Sequence, residues 1–345
     1  MVPKQLPIPP HFQPEQVGEV WRVPYQQRAK DAHLWAEQHN LKSAAEDNPK
    51  VCLLLVDIQN TFCLPDFELF VAGRSGNGAV EDNVRLCEFI YRNLNLITAT
   101  IPTMDTHTAT QIFHQTFWVN DHGAHPEPMT IITQEDIENG HWRVNPAVAP
   151  SVGTPHDECL KAYGEHYVKR LAEEGKYPLI IWPYHAMRGG IGHALVAAVE
   201  EACFFHNIAR NSQTAFEIKG DNPLTENYSV LSPEVLDDQR GQLIAHKRVA
   251  LIDKLLNFDV LIVAGQAKSH CVAWTVDGLL AEIKNTNQAY AEKVYILEDC
   301  TSPVVVPNVI DFTDQANEAF QNFANAGIHL VNSTQPIQAW PSINL

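Results

Sequence analysis

The chain has 345 residues, with 24 Lys and Arg against 41 Asp and Glu, and a formal net charge of −17. Hydrophobic residues are 45% and charged residues 19%, which excludes disorder over most of the length and supplies a core without disulfide or metal staples. The acidic balance argues against a nucleic-acid backbone or an anionic membrane as main partner, and no apolar run approaches the ~20 residues of a spanning helix.

At about 150 residues per domain the length fits two domains, or one large α/β domain with insertions. The start, MVPKQLPIPPHF, carries no apolar signal-peptide core. The seven cysteines are odd in number, scattered and never CxxC, which speaks against a disulfide scaffold or thiolate zinc site and for a reducing cytoplasm.

Residues 1–50 read as an extension that caps the main body, helical from about Arg28 to Glu46. Val51–Asp57 (VCLLLVD) is a continuous apolar run ending in an acid, the pattern of a buried parallel strand. Glu81–Asn95 has helical spacing and Leu96–Met104 is a second strand. Residues 120–178 break the rhythm and form an insertion, with a helix near Asp157–Glu174. Leu179–Trp182 is a third strand and Gly192–His206 a helix. A helix over Val249–Asn257, a strand over Val260–Ala264 and a helix over Val272–Lys284 follow. Lys293–Leu297, a helix over Thr313–Ala326 and a strand over His329–Asn332 complete a domain of residues 51–335, with a tail at 336–345. The alternation predicts an α/β fold: a six-stranded, mainly parallel sheet with helices on both faces in three layers.

Sites in such sheets form at the carboxyl ends of strands. Those ends carry Asp57, then Asp105 and His107, then His185, then Cys271. In Asp105-x-His107 the two side chains point the same way and can share one cation. His185 can add a third donor, a set suited to zinc, iron or manganese. The plain reading is an acid that orients a histidine. His114, His122 and His125 follow as further donors or ordinary loop histidines. Cys271 stands before a helix, where a thiol is activated and backbone N–H groups face an oxyanion. The plain alternative is a small buried hydrophobe. Cys52, Cys87, Cys203 and Cys300 read as core, and Cys63 and Cys159 have no nameable partner. Lys219 can stabilise charge near a carboxylate and a thiol, or be an ordinary surface lysine.

Together these residues resemble the isochorismatase-like cysteine hydrolase superfamily, and within it the nicotinamidases most. The matching pieces run in the family's order: VDIQNTF, MDTH, WPYHAMRGG, Lys219-Gly220 with Tyr228-Ser229, GQAKSHCV, LEDC and AGIHLVNS. The sequence differs where the family's WPxHC ends in Ala186, where GTxGAE reads GGIGHA, and where ATDYC or ATDHC reads AKSHC, with Lys268 and Ser269 in place of Thr and Asp. The resemblance implies an oligomeric hydrolase of the C–N bond in a small amide, working through a thioester. It implies a triad of Asp57, Lys219 and Cys271, a cis peptide at Gln266–Ala267, and an oxyanion hole from the backbone of Ala267 and Cys271. It implies one divalent metal, zinc with iron or manganese as alternatives, on Asp105, His107 and His185. Gln59, Phe62, His114 and His270 are candidates for the substrate pocket. The rival readings are a hydrolase fold that binds without turnover and a metal-independent, isochorismatase-type hydrolase. The insertion leaves and rejoins the chain beside the metal residues, which predicts a lid or subunit contact; the bland alternative is surface decoration.

Overall fold

A strand whose side chains are all apolar has no face to give to water, so it belongs in the middle of a covered sheet. Val51–Val56 and Val260–Gly265 are of this kind, and both are buried at every position. In the computed structural model, which describes residues 5–153 and 157–343, they lie side by side. The strands of the main sheet are β1 (Val51–Val56), β2 (Ala99–Asp105), β3 (Glu217–Lys219), β4 (Val260–Gly265), β5 (Val294–Leu297) and β6 (His329–Val331). Their spatial order is β6-β5-β4-β1-β2-β3. The pairs β1·β2, β1·β4, β4·β5 and β5·β6 are all parallel. The order runs outward in both directions from β1 and β4, so the topological switch point lies between them.

The longer helices are α1 (Tyr25–His39), α2 (Gly78–Arg92), α3 (Asp157–Glu173), α4 (Ala197–Arg210), α5 (Val249–Leu256), α6 (Ala273–Thr286) and α7 (Thr313–Asn325). The chain divides into two units. One contains the chain up to Met104, Ala194–Glu217 and everything from Val249 on; the other contains Asp105–His193 and Ile218–Arg248.

In the first unit α1 and α2 pack on α4, and α6 packs on α7. α2 buries Ala79, Asp82, Asn83, Leu86, Cys87, Phe89 and Ile90, a stripe at helical spacing. The N-terminal extension is bound to this body by two arginines. Arg28 meets Glu201 at 2.7 Å, and Arg210, 1% exposed, donates to Lys42 O at 2.6 Å and pairs with Asp47. The first helix ends at His39, not near Glu46, because Asn40 is left-handed (φ 51°) and donates its N–H to Ala36 O and Glu37 O. No helix among the described residues is long and apolar enough to cross a membrane.

The second unit carries two short antiparallel pairs, Trp118–Val119 with Arg143–Val144 and Ile131–Ile132 with Leu179–Ile180, together with α3. Here the structure departs from the expected strand list. Leu179–Trp182 is not the third strand of the main sheet, because its Leu179–Ile180 part pairs with Ile131–Ile132. The place is taken by β3, a sheet-edge strand whose Ile218 is 45% exposed and which therefore lacks a buried strand's apolar run. Residues 1–4 of the extension, 154–156 of the insertion and 344–345 of the tail lie outside the described residues.

Candidate active site and metal centre

In the first unit the chemistry gathers at the switch point. β1 ends at Val56, opposite Gly265 of β4. Asp57 follows with left-handed backbone (φ 47°) and 0% exposure. Its N–H donates to Thr103 Oγ1 at 3.0 Å, and the same hydroxyl donates to its carboxylate Oδ1. The β4 end requires glycine: at φ 123° a Cβ on Gly265 would stand 2.1 Å from Val56 O. Next come the cis bond Gln266–Ala267, at the expected position, and a wide helical turn over Lys268–Val272 that runs into α6. Val272 N–H reaches back five residues to Ala267 O at 3.1 Å, as in a π-turn. Cys271 lies in this turn, 8% exposed. It therefore heads a helix on the strand next to the one that delivers Asp57.

The residues around Cys271 anchor this turn. Lys268 Nζ donates to Glu298 at 3.1 Å and to Asn317 at 3.0 Å. Ser269 Oγ accepts the Val304 N–H at 3.0 Å. His270 stands edge-on to Phe312, 4.7 Å between ring centres, and burial pushes its pKa down to about 3. Gln266 is held by Asp82 at 2.8 Å and accepts the Ser302 N–H at 3.2 Å. Gln59 and Phe62 are buried after β1, where Gln59 forms a bridge with Leu195.

The second unit holds the metal-type residues. Asp105 and His107 leave the end of β2, and the segment Trp182–Arg188 runs beside them. The His107 N–H donates to Ala186 O at 3.0 Å, and the Arg188 N–H to His107 O at 2.9 Å. A parallel bridge between His114 and Trp182 brings in a third imidazole. His107, His114 and His185 are all buried, and one ring nitrogen of each lies within 4.8 Å of the others. Each Nδ1 meets a backbone carbonyl: His107 with His185 O at 3.1 Å, His114 with Ala109 O at 3.3 Å, His185 with Pro183 O at 2.7 Å. That arrangement turns every Nε2 away from the backbone, the pattern of metal-binding histidines. His114 Nε2 is buried with no hydrogen-bond partner among the described residues, an atom that a cation would satisfy. Burial first, and then His107, push the His114 pKa down to about 3; burial likewise holds His185 well below the usual histidine range. Neutral imidazole is the form that binds a metal.

Asp105 belongs to the same cluster and is shared. Its Oδ1 lies 3.1 Å from His107 Nε2 and 3.0 Å from Lys219 Nζ, and its Oδ2 lies 4.0 Å from His185 Nε2. Burial alone would raise this carboxyl, but His107 and Lys219 outweigh it and hold the pKa below the carboxylate range. Lys219 is 3% exposed, not a surface lysine, and its Nζ also donates to Asn227 O at 2.6 Å. Gly220 after it has φ 80°, and a Cβ there would meet Asp105 Oδ1 at 2.4 Å. The close approach of the chain to the acid therefore needs glycine.

The residue pair two apart was readable; the third imidazole was not singled out from its neighbours. His114 lies seven positions beyond His107 in irregular chain, and its burial and its bridge to Trp182 distinguish it from His122 and His125. Both of those are exposed, and His125 Nδ1 meets Trp118 O at 2.7 Å.

No protein-family model and no curated protein matches the chain. Solved structures do. A nicotinamidase/pyrazinamidase of Acinetobacter baumanii is 18% identical, covering 84% of this chain and 99% of its own, with a TM-score of 0.49. Yeast nicotinamidase Pnc1p is 17% identical over 82% and 99% of the two chains, TM-score 0.48. Pyrococcus horikoshii pyrazinamidase, solved in complex with zinc, is 16% identical over 82% and 99%, TM-score 0.43. At these identities and scores the likeness assigns no activity.

Proposed function

We propose that the protein is an isochorismatase-like cysteine hydrolase of the nicotinamidase type, which cleaves the C–N bond of a small amide. The observation that carries this reading is Cys271 at the head of α6, on the strand beside the one that ends in buried Asp57. Asp57 takes the thiol proton, and the Cys271 sulfur attacks the amide carbonyl. Backbone N–H groups of Ala267 and Cys271 hold the oxyanion, worth about 3–4 kcal/mol per donor in comparable sites. The C–N bond breaks, and ammonia or an amine leaves with the proton from Asp57. Water then attacks the thioester with Asp57 again as base, releasing the acid and the thiol. Lys219 supplies the positive charge that keeps carboxylate and thiolate compatible.

His107, His114 and His185, with Asp105 beside them, fit one divalent ion of the zinc class. When bound, such an ion supplies a Lewis acid that anchors a substrate heteroatom or the hydrolytic water. Iron or manganese would use the same donors. Gln59, Phe62 and His270 are proposed to border the pocket, and the site is proposed to work in a cytoplasmic homo-oligomer.

The test is a panel of small amides, heteroaromatic carboxamides included, assayed for ammonia with wild type and Cys271→Ala. Release by wild type that Cys271→Ala abolishes supports the reading. Ammonia from no amide, or release that survives in Cys271→Ala, ends it.

A further inference from the structure

In the second unit Lys219 Nζ meets Asp105 and the carbonyl of Asn227. The second lies in a turn that is held from several sides by side chains outside the proposed machinery. Glu226, the preceding residue, is 8% exposed. Its carboxyl hydrogen-bonds Tyr228 and Trp182, and Trp182 Nε1–H also reaches Tyr228 Oη at 3.2 Å. Its backbone N–H donates to Tyr167 Oη at 3.2 Å, and its carbonyl accepts the Glu234 N–H at 2.8 Å. Tyr163 Oη donates to Leu224 O at 2.6 Å, and Lys176 pairs with Glu234 at 3.2 Å. Tyr163, Tyr167 and Lys176 all come from the 120–178 segment. On the other side, Trp182 leads directly into Pro183, whose carbonyl accepts His185 Nδ1 at 2.7 Å.

A buried acid that stands next to Asn227 and bonds Tyr228 and Trp182 has little reason to be there as a stabiliser. Burying a carboxyl is costly unless it is satisfied, and an apolar residue of like shape is usually no worse. Burial and nearby Glu234 push the Glu226 pKa up, and the hydrogen bonds with Tyr228 and Trp182 work against that rise. Its oxygens accept from the indole N–H and the Tyr228 hydroxyl.

We propose that Glu226 is a positioning residue: through Tyr228 and Trp182 it fixes the turn whose Asn227 carbonyl holds Lys219 and the segment that carries His185. The role rests on the hydrolase reading for its purpose, but its test does not. The full-length protein is treated with formaldehyde and dimethylamine borane, and methylation of each lysine is followed by mass spectrometry. Lys219 in wild type is among the slowest. In Glu226→Ala its rate rises about tenfold, as local opening of the turn requires, while Lys268, also buried but in the first unit, keeps its rate. Trp182→Phe, which keeps the packing and removes the N–H, raises the Lys219 rate in the same direction. Glu226→Gln, neutral and isosteric, stays near wild type. Zinc affinity measured by titration calorimetry falls about tenfold in Glu226→Ala, as for other outer-shell partners. A Lys219 rate unchanged in Glu226→Ala, or one that rises in step with Lys268, overturns the proposal; unchanged zinc affinity removes His185 from it. Wild type that releases ammonia from no amide would sink the hydrolase reading and leave the Lys219 measurement intact.

Discussion

Cys271 is the proposed nucleophile, so its removal is the sharpest single-residue test. Cys271→Ala is expected to lose all but a few per cent of amidase activity with an unchanged thermal melt, since a thiol-to-methyl change in a turn costs little packing. Cys271→Ser should fare no better, because a carboxylate is too weak a base for a hydroxyl. A different residue carries the pH prediction. His206 is fully buried, donates from Nε2 to Ile97 O at 2.8 Å, and has its pKa lowered to about 4 by burial. In the unfolded chain it titrates near the ordinary value of about 6.5. Between those two values the unfolded state binds the extra proton, so His206 makes stability fall as pH falls. The loss amounts to about 1 kcal/mol per pH unit. Other buried groups titrate in the same window with either sign, so the comparison is with His206→Gln. Urea unfolding at pH 7.5 and 5.0 should show the variant losing less stability than wild type over that interval. Equal losses would contradict the assignment.

At the scale of elements, the insertion makes contacts that its sequence does not announce. Its expected role was a lid or subunit contact. Its helix α3 also supplies Tyr163 and Tyr167, which bond the Leu224–Glu226 turn. Replacing residues 125–175 by a short Gly/Ser linker is therefore expected to lower zinc affinity and raise Lys219 methylation, as well as to change the substrate profile or the oligomer size. Calorimetry, mass spectrometry and gel filtration read these directly. An unchanged result in all of them would make the segment decoration. The same elements explain what could be read in advance. β1 and β4 were legible because both are unbroken apolar runs, which only a doubly covered strand can use. Asp57 and Cys271 were legible because strand ends follow from strands. β3 was not, since an edge strand with Ile218 facing solvent has no such run, and Leu179–Trp182 imitates one while pairing elsewhere. His114 and Glu226 depend on contacts between distant loops, which spacing along the chain does not encode.

For the whole molecule, a metal that binds the native state and not the unfolded chain stabilises it by mass action. Zinc at a hundred times its dissociation constant should add about 2.7 kcal/mol. A thermal melt with and without zinc measures the gain, and EDTA should remove it. His114→Ala should keep the fold and lose most of the gain, since it deletes the donor whose Nε2 has no other partner among the described residues. A gain of the same size in His114→Ala would take that residue out of the centre.

The middle of the sheet has a history on the ribosome. β1 finds one of its two neighbours early in β2, but the other, β4, is more than two hundred residues further along the chain. At typical synthesis rates of 5–20 residues per second, an emerging VCLLLV run waits about 10–40 s for that partner. During the wait an apolar strand edge stands open, the kind of surface that recruits chaperones or other copies of itself. A chain stopped after Arg248 has β1 and lacks β4, β5 and β6 altogether. It is expected to be cut rapidly by protease and to collect chaperones, while the complete chain resists. Equal resistance in the two would mean that the sheet forms without its centre.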